Sequence, residues 1–169
     1  VILSLGHVGN YEWLAQNFPG FFGCKLAVPY RKLNNPYFDK LFKISRVKGG
    51  ADLFHTNKTR EYIVKNRDSR YVMELANEQS APAGSSYWTK FLNRDTSFFV
   101  GTEKLAKQLN FGVVFLSISV PERGKYIGKL RVITSTPKDE PTGFIMEEHA
   151  RLVEENILEA PEYWLWSHR

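Results

Sequence analysis

Val1-Ile2-Leu3-Ser4-Leu5-Gly6-His7-Val8-Gly9-Asn10-Tyr11-Glu12-Trp13 opens the chain and decides how the rest is read. Residues 1–5 are apolar except for Ser4 and are closed by glycine. Such a run is too short for a stable helix and suits a strand buried on both faces of a parallel sheet. Asn10 is placed to cap a following helix by accepting a free N–H of its first turn, and Glu12 then sits where the helix dipole favours a carboxylate. The stretch reads as strand, loop, helix.

His7 and Glu12 are five residues apart, which on one continuous helix would set them roughly 140° from each other. Across the bend they can meet. A carboxylate that accepts from one imidazole nitrogen fixes the tautomer and leaves the other nitrogen as a base, the orienting role of the aspartate in serine-protease triads. The same residues also fit a plainer reading, with Glu12 a favourable first-turn residue and His7 a loop histidine. No Gly-x-Ser-x-Gly elbow and no His-Glu-x-x-His are present, so a base at His7 has to activate something bound, such as a substrate hydroxyl attacking an activated acyl group.

These residues resemble those of the lipid A biosynthesis acyltransferases, the late or lauroyl/myristoyl acyltransferases. Their His-x-x-x-x-Asp/Glu motif stands here as His7-Val8-Gly9-Asn10-Tyr11-Glu12. Pro29-Tyr30-Arg31-Lys32-Leu33-Asn34-Asn35-Pro36 looks like the family's Tyr-Arg-x-x-x-Asn-Pro block, and Trp164-Leu165-Trp166-Ser167-His168-Arg169 looks like its Trp-x-His-Arg signature. Two blocks depart from the pattern: Asn77-Glu78-Gln79 stands for Asp-Gln, and Phe91-Leu92-Asn93-Arg94 for Phe-Phe-Gly-Arg, where asparagine tolerates a positive φ.

The resemblance implies a glycerolipid-acyltransferase-like α/β fold, a mainly parallel mixed sheet with helices on both faces, over a single domain spanning 1–169. The family's N-terminal membrane-anchoring segment and extreme C-terminus are expected to lie outside this chain. It implies transfer of a fatty acyl group from acyl carrier protein, or acyl-CoA, to a hydroxyl of a lipid A precursor. His7 is then the base and Glu12 its orienting partner, with substrate-binding roles at Arg31, Asn10, Glu78, Gln79 and Arg94. No cofactor is implied. The expected location is the cytoplasmic face of the bacterial inner membrane. Another glycolipid, an aminolipid or a lysophospholipid is the nearer alternative acceptor; a non-catalytic basic module binding membrane or nucleic acid is the more distant one.

Composition is that of a globular domain, with 43% hydrophobic and 24% charged residues in 169. No run reaches the ~18 apolar residues of a membrane helix. The single cysteine, Cys24, excludes an intrachain disulfide, and four scattered histidines without cysteine partners point to no metal site. The net charge of +5 is uneven: residues 1–70 hold twelve Lys/Arg against five Asp/Glu, and residues 71–169 eleven against thirteen. A basic half suits anionic partners, here an acidic carrier protein, phosphorylated lipid or an anionic membrane surface; no nucleic-acid motif accompanies it, and no nucleic acid is expected.

Further along, the first helix is expected from 11 to about 17, broken by Pro19-Gly20, with strands over 25–29, 71–76 and 113–120 and an antiparallel edge strand over 126–133. Pro36 opens a helix whose Phe38, Leu41 and Phe42 form an apolar side, fitting an ordinary packed cover or a helix resting on an acidic membrane. Thr56 is placed to cap a short helix ending near 66. Residues 80–86 read as a loop beside the site, a plain connection or a lid. Thr96 is expected to cap a helix containing Phe98 that glycine ends at 112, and a final helix after Pro141 carries His149 as a packed residue. The strand ends carry Arg31 and the 77–79 trio, where open α/β sheets bind ligands.

Overall fold

The structure is a computed structural model and describes residues 1–78, 81 and 84–166. In chain order its elements are β1 (Ile2–Leu5), α1 (Tyr11–Phe22), β2 (Lys25–Tyr30), α2 (Pro36–Lys48), β3 (Ala51–His55), α3 (Thr59–Lys65), β4 (Tyr71–Ala76), β5 (Ser86–Phe91), β6 (Arg94–Phe99), α4 (Gly101–Leu109), β7 (Val113–Glu122), β8 (Lys125–Thr134) and α5 (Phe144–Glu159). The fold is α/β and its strand pairing is mostly parallel and mixed. The chain forms two compact units, one of residues 1–10 with 75–169, the other of residues 11–74.

In the unit of residues 11–74, β2 pairs in parallel with β3 on one side and with β4 on the other. Leu26, Ala27 and Met73 are fully buried there. The sequence reading did not assign β3, whose Ala51, Leu53 and Phe54 follow the Gly49-Gly50 turn without a distinctive alternation. Tyr62 of α3 secures it, stacking on Phe54 with ring centroids 4.2 Å apart and donating its hydroxyl to Asp52 at 3.0 Å. Helix α1 does not stop at Pro19 but runs on to Phe22. A proline removes one N–H, and buried Phe18 stacked on Phe22 at 4.4 Å supplies packing that outweighs that loss. The expected Thr56 cap is also displaced: His55 caps a short 3-10 turn over Thr56–Lys58 that leads into α3.

The other unit is built on β1, whose four residues are all buried. It pairs in parallel with β7, which pairs antiparallel with the edge strand β8 as expected. Val8, Phe98, Phe115, Met146, Val153 and Ile157 centre the core under α5. The expected helix from Thr96 is corrected by a hairpin, because residues 94–99 form β6 paired with β5. The turn residues Leu92 and Asn93 both take positive φ, 48° and 62°, the twist that a tight hairpin requires. Helix α4 begins only at Gly101, and Asn110 rather than Gly112 takes the left-handed position that ends it.

Candidate active site

The loop that leaves β1 is held from three sides. A side chain at Gly6 would meet Val153 of α5 at 3.0 Å, so glycine lets the helix close on the strand end. Val8 is buried and forms a bridge with Trp164, while the Gly9 N–H donates to the Tyr163 carbonyl at 2.9 Å. Gly9 itself has φ +65°, and a Cβ there would lie 2.9 Å from the Ile118 side chain. The aromatic stretch after α5 thus docks against the histidine loop, and His7 is turned partly outward with its side chain 16% exposed.

The carboxylate that meets His7 is Glu78. Its Oε1 accepts the His7 main-chain N–H at 2.8 Å and is also hydrogen-bonded to the ring Nδ1. Burial by itself would push the Glu78 carboxyl up, but the hydrogen bonds and charge of His7 outweigh it and hold the group below the usual carboxylate range. An ionised carboxylate only accepts, so the His7 Nδ1 donates to it. The strand end that delivers Glu78 is fixed by its neighbour: the Asn77 side chain donates to Thr102 at 2.6 Å and its carbonyl accepts from Phe99 at 3.0 Å.

Behind the pair, Ser4 Oγ and His149 Nδ1 share a 2.6 Å hydrogen bond in the core. His149 is wholly buried between the rings of Phe98 and Phe115. Burial lowers its pKa to about 4, against the opposing charge of Glu78, so the ring is neutral at physiological pH. This agrees with its reading as a packed histidine.

The sequence reading gives the orienting role at His7 to Glu12; the structure shows Glu78 hydrogen-bonded to the His7 Nδ1. Both oxygens of Glu12 are occupied by Arg46, with Nε to Oε2 at 2.8 Å and Nη2 to Oε1 at 2.5 Å, a two-point fork. The Arg46 guanidinium is held above its ordinary pKa by that bond. Within the same unit, Glu12, Arg31, Lys43 and Arg46 line a cleft of about 230 Å³ together with Tyr30 and Phe42. Lys43 pairs with Asp39 at 2.7 Å and lies over the Tyr30 ring, and Asp39 also accepts the Leu33 N–H at 3.0 Å, tying the loop after Arg31 to α2. Sequence reasoning missed Lys43 and Arg46; their only local signal is that both lie on the side of α2 that carries Asp39.

Of the remaining expected residues, Asn10 ends the histidine loop directly before α1. Arg94 stands exposed at the hairpin turn, and its side chain forms no hydrogen bond or ion pair among the described residues. Gln79, the loop residues Ser80, Pro82 and Ala83, and the terminal Ser167, His168 and Arg169 lie outside the described residues.

A buried carboxylate that orients a partly exposed imidazole is a general-base arrangement. A search of curated proteins finds no match. The family model for the bacterial lipid A biosynthesis acyltransferases matches residues 1–169, the whole chain, so the protein belongs to that family and is an acyltransferase.

Proposed function

We propose that the protein transfers a fatty acyl group from the thioester of an acyl carrier protein to a hydroxyl of a lipid A precursor, with His7 as general base and Glu78 as its positioning residue. The single observation that carries this reading is the hydrogen-bonded pair of His7 and Glu78, a partly exposed imidazole held by a buried carboxylate. In the step, Nε2 takes the acceptor hydroxyl proton as the oxygen attacks the thioester carbon. The new C–O bond forms, the C–S bond breaks, and the departing thiolate recovers the proton from His7. Glu78 stabilises the imidazolium while it exists. Glu12 holds Arg46 in the cleft.

Arg31, Lys43 and Arg46 give that cleft three cations against Glu12 and Asp39, which suits a phosphate of the acceptor or of the donor's phosphopantetheine. The α/β frame is read as glycerolipid-acyltransferase-like, and the working location as the cytoplasmic face of the bacterial inner membrane. The test is an acyl-transfer assay with acyl-carrier-protein donors and a lipid A precursor and a lysophospholipid as parallel acceptors. Product on the lipid A precursor that disappears in His7→Ala supports the reading; near-normal turnover in His7→Ala overturns it.

A further inference from the structure

Helix α2 buries the wrong side for an ordinary cover. Tyr37, Leu41 and Ile44 follow one another at helical spacing and are 84%, 60% and 56% exposed, with Phe38 and Val47 beside them at 56% and 54%. Of the two readings left open for this side, the packed cover is the one Phe38 and Leu41 do not fit, because both face solvent. The polar residues Asp39, Lys43 and Arg46 lie on the opposite side, where they are engaged in the cleft. Lys48 continues the exposed apolar stripe and Lys40 flanks it. This is the reverse of a soluble amphipathic helix, whose charges face water and whose apolar stripe faces the core.

We infer that the outer face of α2 beds in the surface of an anionic lipid bilayer and so sets the cleft behind it at headgroup depth. The occupant is argued from three observations. The stripe is apolar and aromatic but bordered by lysines, whose stems reach along lipid while their charges meet anionic headgroups. The unit that carries it, residues 11–74, holds twelve Lys/Arg against six Asp/Glu, which disfavours a basic or neutral partner and favours an anionic surface. At 13 residues, α2 is about 20 Å long and too short to cross a hydrocarbon core of roughly 30 Å, so it lies along the interface.

The two faces of α2 then have one purpose. A helix is about 10 Å across, so a helix lying with its outer side chains in the acyl boundary holds its inner side chains at the level of lipid phosphates. Arg46, Lys43 and Phe42 are those inner side chains. The cleft is thereby presented to a lipid that has not left its leaflet. This inference rests on the reading that the acceptor is a lipid held in a bilayer.

The experiment is co-sedimentation of the purified protein with vesicles of phosphatidylcholine alone and of phosphatidylcholine containing phosphatidylglycerol. It compares wild type with the pairs Leu41→Gln/Ile44→Gln and Lys40→Glu/Lys48→Glu. These side chains are outside the cleft, so thermal unfolding and acyl transfer to detergent-dispersed acceptor should be unchanged. Wild type should bind the anionic vesicles and lose affinity as salt is added, and each pair should weaken binding at least about ten-fold. Undiminished vesicle binding by both pairs overturns the inference. So does a wild-type protein that ignores anionic vesicles, or that self-associates or binds an acidic carrier protein through this stripe without lipid. Binding that depends on the stripe in a protein with no turnover on any lipid acceptor overturns the catalytic reading and supports this one.

Discussion

The ring Nδ1 of His7 is hydrogen-bonded to Oε1 of Glu78, a carboxylate 71 residues further along the chain whose side chain is wholly withdrawn from solvent. Glu78→Gln keeps the shape and removes the charge that stabilises an imidazolium. It is expected to lower kcat by roughly 10²–10⁴-fold with little change in KM, in line with orienting carboxylates elsewhere. Steady-state kinetics on the lipid A precursor checks this. The folded state lowers the Glu78 pKa, so the pair's contribution to stability is present above the ordinary carboxylate value and is lost as pH falls through the lowered one.

Glu12 and Arg46 are expected to behave as one unit. Their side chains are about one-quarter exposed, and the fork is two-point. A double-mutant cycle with Glu12→Gln and Arg46→Gln should give a coupling energy of about 1–2 kcal/mol in urea unfolding, reduced by salt. The acceptor KM should rise in both single variants, because each loosens the cleft that Arg46 lines. Independent, additive effects would separate the two residues.

His149 predicts where acid stability fails. Its folded pKa is depressed to about 4 from an ordinary 6.5, so the folded state resists protonation that the unfolded chain accepts. Stability is fully present above pH 6.5 and declines as pH falls from there toward 4. The gap is worth about 3 kcal/mol. Thermal midpoints measured from pH 7 to 4.5 should fall steeply in wild type and more shallowly in His149→Gln, which has no such proton to take up.

Gly9→Ala tests the histidine loop as a rigid part. The position has φ +65°, and the added methyl would meet Ile118, whose main chain is fixed at both N–H and carbonyl by the Asn156 side chain. Strain of about 1–3 kcal/mol is expected in chemical unfolding. It should be accompanied by a fall in kcat, since the neighbouring Gly9 N–H to Tyr163 carbonyl bond helps to fix the turn that carries His7.

Much of this protein was legible in one dimension because the signals are local. The apolar run of 1–5 before Gly6, the Asn35-Pro36 start of α2, the long apolar run of β7 and the spaced apolar face of α5 each depend on neighbours within a turn or two, and each element formed where expected. The ordered blocks around His7, Arg31 and Trp164 carried the family in the same way. Tertiary structure alone decided the partners. Glu12 lies in the first turn of α1 and Glu78 just past β4, and nothing in their local sequence says that one takes Arg46 and the other takes His7. Helix α1 continued through Pro19 and residues 94–99 became a strand because packing of Phe18 and of the β5 partner overrode local preference. The apolar stripe of α2 could be counted from its sequence, but a stripe is buried or exposed only by what else the chain brings to it. Periodicity fixes which residues share a face, whereas contacts over long separations fix what that face meets.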